Sequence, residues 1–165
     1  MLHDLKYFIT FAPLINLEEM EKSKNSFIHN IEVQLRFNDF DVLGHVNNAI
    51  HQHYFDLARL NYFNEVIKDE LKWEDFSVIM ASIKIDYKNP VLLNEPVSIR
   101  SRISILGEKS ITMVQEVYNP ITGEDKSCNI AVMAGYSSKT KQTESIPKHW
   151  VEKISEFEND VKYKY

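Results

Sequence analysis

The run Arg36-Phe-Asn-Asp39-Phe-Asp41-Val-Leu-Gly44-His45-Val46-Asn47-Asn48 is the densest set of polar groups in the chain. Two carboxylates, a glycine, a histidine and the amides of Asn47 and Asn48 stand directly ahead of a stretch with helical apolar spacing. A helix amino terminus presents unpaired backbone N–H groups and the positive end of its dipole, so it can stabilise an oxyanion or polarise a carbonyl. A carboxylate in a partly apolar pocket beside it can act as general base or nucleophile, because burial raises its basicity. Together these groups suit acyl transfer. An Asn/Asp-rich turn before a helix is also what capping and turn chemistry alone would use, and spacing leaves both readings standing.

The elements that must position these groups follow from periodicity. From Phe27 to Phe37, residues Ile31, Val33, Leu35 and Phe37 alternate with Glu32, Gln34 and Arg36, which predicts a half-buried strand. Asn47 and Asn48 are candidate caps, and from Ala49 onward Ile50, Tyr54, Leu57, Ala58, Tyr62 and Val66 recur at three- and four-residue steps. That is one apolar face of a helix of about five turns. The period then switches to two: Ile79 to Tyr87, Val97 to Ile105 and Ile111 to Val117 read as strands, and the apolar run Ile130 to Gly135 as a last, well-buried one. Trp150 to Tyr165 is charged with a weak helical pattern. The order is strand, long helix, then four strands, an α+β arrangement in which the helix covers one face of an antiparallel sheet. The edges and the bare face of such a sheet call for a second copy, by sheet extension or by face packing.

At 165 residues and 44% hydrophobic content the chain can bury one substantial core. Its domain is expected over residues 27–145, with an amino-terminal extension over 1–26 and a charged tail or helix over 146–165. A formal charge of -5 carries no basic excess of the kind that binds nucleic acid. The single cysteine, Cys128, cannot close an intramolecular disulfide, and no run approaches a membrane span, so a cytoplasmic location is expected. His45, His51 and His53 are close in sequence, yet positions 51 and 53 lie about 200° apart around a helix, so no shared metal is expected. Asp39 and Asp41 lack the remaining ligands of a calcium loop, and no nucleophile elbow, dinucleotide fingerprint or phosphate loop is present. Neither metal nor cofactor is expected. Arg100, Arg102, Lys109, Lys139 and Lys141 read as a solvated strand face before they read as phosphate ligands. Cys128 reads as a small core or edge residue.

Asp39-Phe-Asp41-Val-Leu-Gly44-His45-Val46-Asn47-Asn48, followed by Tyr54-Phe55-Asp56-Leu57-Ala58-Arg59, resembles the D-x-D-x-x-G-H-V-N-N signature of hot-dog-fold thioesterases of the 4-hydroxybenzoyl-CoA type. The resemblance extends to acyl-carrier-protein thioesterases and, more loosely, over residues 28 to 140. It implies a long central helix wrapped by an antiparallel sheet, assembled as a homodimer or homotetramer with sites at subunit contacts. It also implies hydrolysis of an acyl-CoA or acyl-carrier thioester. Asp41 takes the role of the catalytic carboxylate, as nucleophile or general base; the helix N–H near Asn48 polarises the carbonyl, and His45 assists. Gly44, Val46, Asn47 and Tyr54 would line the substrate. Leu43 stands where the acyl-carrier branch has an asparagine, His51 where many relatives have tyrosine, and Asp56 where many have glutamate. The rival reading is a non-catalytic module that binds acyl-CoA, and a dehydratase on the same fold is a third.

Overall fold

The computed structural model describes residues 27–68 and 76–164. The expected extension over 1–26 lies outside them. Strand β1 (His29–Val33) is shorter than the alternation predicts. The chain leaves the sheet at Arg36, whose N–H is taken by the Asp39 carboxylate at 2.9 Å, and turns through a single 3-10 turn at Phe37–Asp39. Phe37 is consequently exposed instead of core-facing.

Helix α1 (Asn48–Val66) follows. At 19 residues it is about 28 Å long. It ends at Ile67, whose N–H still reaches the Phe63 carbonyl, ahead of Lys68 in the left-handed region (φ 56°). Its buried stripe is His51, Tyr54, Phe55, Ala58, Tyr62, Phe63 and Val66. Leu57, expected on that stripe, is 52% exposed, because aromatic residues at positions 55 and 62–63 rotate the buried face away from it. Each fully buried Phe contributes roughly 1.5–3 kcal/mol relative to exposure.

The remaining strands are β2 (Ser77–Tyr87), β3 (Val97–Gly107), β4 (Ser110–Tyr118), β5 (Asp125–Ser137), β6 (Gln142–Thr143) and β7 (Lys162–Lys164), with helix α2 (Lys148–Phe157) between the last two. The sheet order is β1-β3-β4-β5-β2, with β6 on β5 and β7 on β3. Among the described residues the strands pair antiparallel except β3 with β7. The fifth strand is longer than the apolar run Ile130 to Gly135 and is not the last. Two bulges break the strict alternation expected from sequence. One, between Met80 and Ser82, puts Val78 and Met80 on the same face as Ile83, Ile85 and Tyr87, leaving Ile79 on the other. The second, between Ile103 and Ile105, puts Leu106 rather than Ile105 into the core.

The helix-facing side of the sheet carries two apolar clusters. One gathers Tyr62, Phe63, Ile103, Met113 and Met133 with Trp150 and Ile154 of α2, and the other Val46, Tyr54, Phe55, Ala58, Ile99 and Val117. Between them runs a polar row set by register, since Ser101 pairs with Gln115 and Gln115 with Asn129. All three are fully buried. Gln115 Nε2 donates to the Phe55 carbonyl at 2.9 Å and to Ser101 Oγ at 3.2 Å, and Asn129 Nδ2 donates to Gln115 Oε1 at 3.0 Å. This row ties α1 to the sheet at the Phe55 carbonyl, near the middle of the helix.

The outer edge of β3 is covered in three sections. β1 pairs with Val97 to Ser101, β7 with Ile105 to Gly107, and the gap at the bulge is closed by Glu158. Glu158 Oε1 accepts from Ile103 N–H at 2.9 Å and from the Tyr62 hydroxyl at 2.6 Å. Burial pushes this carboxyl above its ordinary value, which favours an uncharged group in its place. Glu158→Ala leaves a buried hydroxyl and a strand N–H without an acceptor and is expected to lower the unfolding free energy by about 2–4 kcal/mol. Glu158→Gln keeps the accepting oxygen and is expected to stay within about 1 kcal/mol of wild type. Urea unfolding of both variants checks this; equal losses would assign the effect to packing and not to the acceptor.

Candidate active site

The motif residues form one compact loop. Phe40 and Val46 pair as an antiparallel bridge, Asp41 N–H donates to the His45 carbonyl at 2.9 Å, and Gly44 N–H donates to the Asp41 carbonyl at 3.0 Å. Gly44 adopts φ +74°, which a side chain would strain. A Cβ there would meet nothing within 4 Å, so backbone conformation, not crowding within the chain, demands the glycine. The loop is latched to the segment before β3, since Val46 N–H donates to the Val91 carbonyl at 3.0 Å and His45 bridges Leu92.

Within this loop Asp41 is half-buried. Its Oδ1 accepts from Leu43 N–H at 2.8 Å and His45 N–H at 3.4 Å, while Oδ2 is engaged by no described residue. One oxygen is thereby anchored and the other presented. The His45 ring, also half-buried, makes no hydrogen bond to a described residue. Val42 and Leu43 at the loop tip are exposed, as are Leu92 and Leu93 on the segment it is latched to. Carboxylate and imidazole therefore sit at an apolar rim.

Asn47 is the helix cap: its Oδ1 accepts from Ala49 N–H and its carbonyl from Ile50 N–H, both at 2.9 Å. Asn47 N–H donates to the Asp39 carbonyl at 2.8 Å. Asn48 N–H has no acceptor among the described residues and is the donor the helix offers outward. Val46 is buried beneath, whereas Gly44, Asn47 and Asn48 are exposed.

Asp39 has a different place. It is 1% exposed; its Oδ2 accepts from the Tyr54 hydroxyl at 2.7 Å and from Arg36 N–H, and its Oδ1 meets the Arg36 guanidinium at 3.1 Å. Burial alone would push this carboxyl up, and the Tyr54, Arg36 N–H and guanidinium partners together more than offset it, leaving it below the ordinary value. Tyr54, expected at the substrate, is buried with its hydroxyl committed to Asp39.

A family model described as the thioesterase-like superfamily matches residues 35–162, which contain all of these groups. The chain belongs to the thioesterase-like superfamily. A Bacillus subtilis (strain 168) relative, the uncharacterised protein YsmA, is 31% identical over 90 residues, 54% of this chain and 60% of YsmA. The chain thus matches less than two thirds of that relative's length. A thioesterase from Thermus thermophilus, solved in complex with coenzyme A and zinc, is 31% identical, with a TM-score of 0.71 over 81% of this chain and 96% of that one. A 1,4-dihydroxy-2-naphthoyl-CoA thioesterase from Synechocystis, 14% identical with a TM-score of 0.68 over 78% of this chain and 95% of that one, shares the hot-dog fold.

Several residues around the superfamily loop carry no motif signal. His51, one turn into α1, is buried; its Nδ1 lies 2.8 Å from Ser127 Oγ on β5 and its ring stands edge-on to Tyr87 at 5.3 Å. The Tyr87 hydroxyl donates to the Asn48 carbonyl at 3.0 Å. Arg36, three residues before Asp39, is the one local hint of a buried ion pair; the long-range partners Ser127 and Tyr87 depend on strand register and leave no trace in sequence. His53 is exposed and does not join His51. Arg100 is committed to Glu116 (2.7 Å) and Asp125 (3.0 Å), and Arg102 to Asp160, so both are ion-paired within the chain. Cys128 is buried within β5 with its thiol pushed up to about 12 by burial. No helix among the described residues is long and apolar enough to cross a membrane.

Burial lowers the His51 pKa to about 4 from an ordinary 6.5. The unfolded chain therefore binds a proton at this residue between those two values and the folded chain does not, so stability is full above pH 6.5 and is lost as pH falls towards 4. At full effect this amounts to about 3 kcal/mol. His51→Gln is expected to remove that part of the pH dependence, read as the difference between wild-type and variant unfolding free energies at about pH 7 and about pH 4.5. Parallel curves would show that His51 does not titrate on unfolding.

Proposed function

We propose that the protein hydrolyses acyl-CoA thioesters, with Asp41 supplying the carboxylate and Asn48 N–H the oxyanion donor. The observation that carries this reading is the pairing of an anchored carboxylate, whose Oδ2 is presented, with an unpaired N–H at the start of the long helix, bounded by the same short loop. Asp41 either attacks the thioester carbonyl, releasing the thiolate and leaving an acyl anhydride for water to cleave, or takes a proton from the attacking water. In both routes negative charge grows on the carbonyl oxygen, where a fixed N–H dipole stabilises it by about 3 kcal/mol. His45 lies in the same loop and can exchange a proton with the leaving thiol. Gly44, Val46 and Asn47 shape the wall of the site, and Tyr54 backs it through Asp39. The coenzyme A complex of the Thermus relative supports coenzyme A over a carrier protein as the leaving group. A cytoplasmic setting accords with a lone thiol that has no disulfide partner.

The active assembly is a homodimer joined at β2. This strand is 11 residues long, pairs only with β5 among the described residues, and leaves Ile79, Met80 and Ile83 about two-fifths exposed. A long apolar edge of this kind invites strand pairing, and a second copy meeting it about a two-fold axis extends the sheet without leaving a further edge there.

Asp41→Asn is expected to lower thiol release from acyl-CoA at least a hundredfold while leaving the melting temperature unchanged, measured across short, long and aromatic acyl chains. A wild type that binds acyl-CoA and releases no thiol would instead favour a binding module. Ile83→Glu on the β2 edge is expected to convert the dimer to monomer in sedimentation; a dimer that persists would move the interface elsewhere.

A further inference from the structure

The peptide that carries the Asn48 N–H is held on every side except the N–H itself. Its own carbonyl, that of Asn47, accepts from Ile50 N–H at 2.9 Å. On the preceding side Asn47 N–H is fixed by the Asp39 carbonyl at 2.8 Å, and on the following side the Asn48 carbonyl is fixed by the Tyr87 hydroxyl at 3.0 Å. Asp39 is in turn immobilised through its carboxylate by the Tyr54 hydroxyl and by Arg36. Tyr87 is the last residue of β2, and its ring is steadied edge-on against buried His51. Two phenol groups thus bear on the two ends of one dipeptide, Tyr87 of the edge strand directly and Tyr54 of the helix through Asp39.

We infer that Tyr87 and the Asp39–Tyr54 pair are positioning residues, which hold the Asn47–Asn48 backbone so that the Asn48 N–H stays aimed at the substrate carbonyl. The inference rests on the thioesterase reading of this site. Neither phenol needs to touch the reacting atoms: Tyr54 is buried, and the Tyr87 hydroxyl is engaged with the Asn48 carbonyl. A fixed dipole stabilises a developing oxyanion because it costs no reorganisation during the reaction, and that advantage is lost when the peptide rocks. Small misplacements of such a donor weaken transition-state binding far more than ground-state binding. The loss should therefore appear in kcat and not in KM.

Tyr87→Phe and Tyr54→Phe remove one hydroxyl each and keep the rings. For Tyr87→Phe, kcat for thiol release from acyl-CoA is expected to fall about tenfold with KM within about twofold and the melting temperature at the wild-type value. Tyr54→Phe is expected to lower kcat in the same sense. Amide hydrogen exchange read by NMR gives a second measure that needs no turnover. Protection of the Ile50 amide should drop in Tyr87→Phe, and that of the Asn47 amide in Tyr54→Phe, while amides at the far end of α1 keep their wild-type rates. Wild-type kcat in both variants, or a loss that follows the fraction of folded protein, overturns the inference. If the wild type or Asp41→Asn shows that the site is not an aspartate-dependent thioesterase, the exchange rates still decide, because unchanged protection at Asn47 and Ile50 would show that the phenols do not hold this backbone.

Discussion

A carboxylate taken out of water must have its lone pairs answered, and Asp39 is where this chain meets that demand. Its two oxygens are satisfied by Arg36 N–H, the Arg36 guanidinium and the Tyr54 hydroxyl, and its carbonyl receives Asn47 N–H. These contacts join the end of β1, the motif loop and the first two turns of α1 into one unit. The loop that carries Asp41 is then a short span between fixed points, closed by the Phe40–Val46 bridge and turned by Gly44. The half-buried carboxylate of Asp41 owes its position to the buried one of Asp39.

A second buried polar feature sets where the helix lies. Apolar contacts are non-directional, and a stripe of Tyr, Phe and Ala can slide along a sheet at modest cost. The row Ser101–Gln115–Asn129 permits much less, because Gln115 must find the Phe55 carbonyl and Asn129 must find Gln115. His51 and Ser127 add a further constraint one turn from the helix start. The core is thereby divided into two apolar clusters with a polar seam between them, and the seam supplies register where the clusters supply most of the stability.

The edges of the sheet are treated unequally. β3 is covered by β1, by the Glu158 carboxylate at the bulge and by β7, so the chain's own carboxy-terminal segment completes that side. β2 receives no such cover from the described residues and keeps apolar side chains in solvent. The uncovered edge lies on the side of the molecule on which Tyr87 reaches the helix start.

Local chemistry made much of this legible in sequence. The three- and four-residue spacing from Ile50 to Val66 specifies a helix, the two-residue alternations specify strands, and Asn47 and Gly44 have the residue types that a cap and a left-handed turn need. The motif placed Asp41 and Asn48 near one another because only a short turn separates them. Other features were decided by tertiary structure. Bulges moved Ile79 and Ile105 off the expected face, neighbouring aromatic side chains turned Leu57 outward, and Arg36 to Asp39 ended β1 early because a buried carboxylate drew the chain into a turn. Tyr87 met the Asn48 carbonyl, Ser127 met His51 and Glu158 met Ile103 across 39, 76 and 55 residues of chain. Spacing and propensity act over one or two turns of backbone, whereas contacts at such separations depend on strand register and sheet order, which only the packed molecule defines.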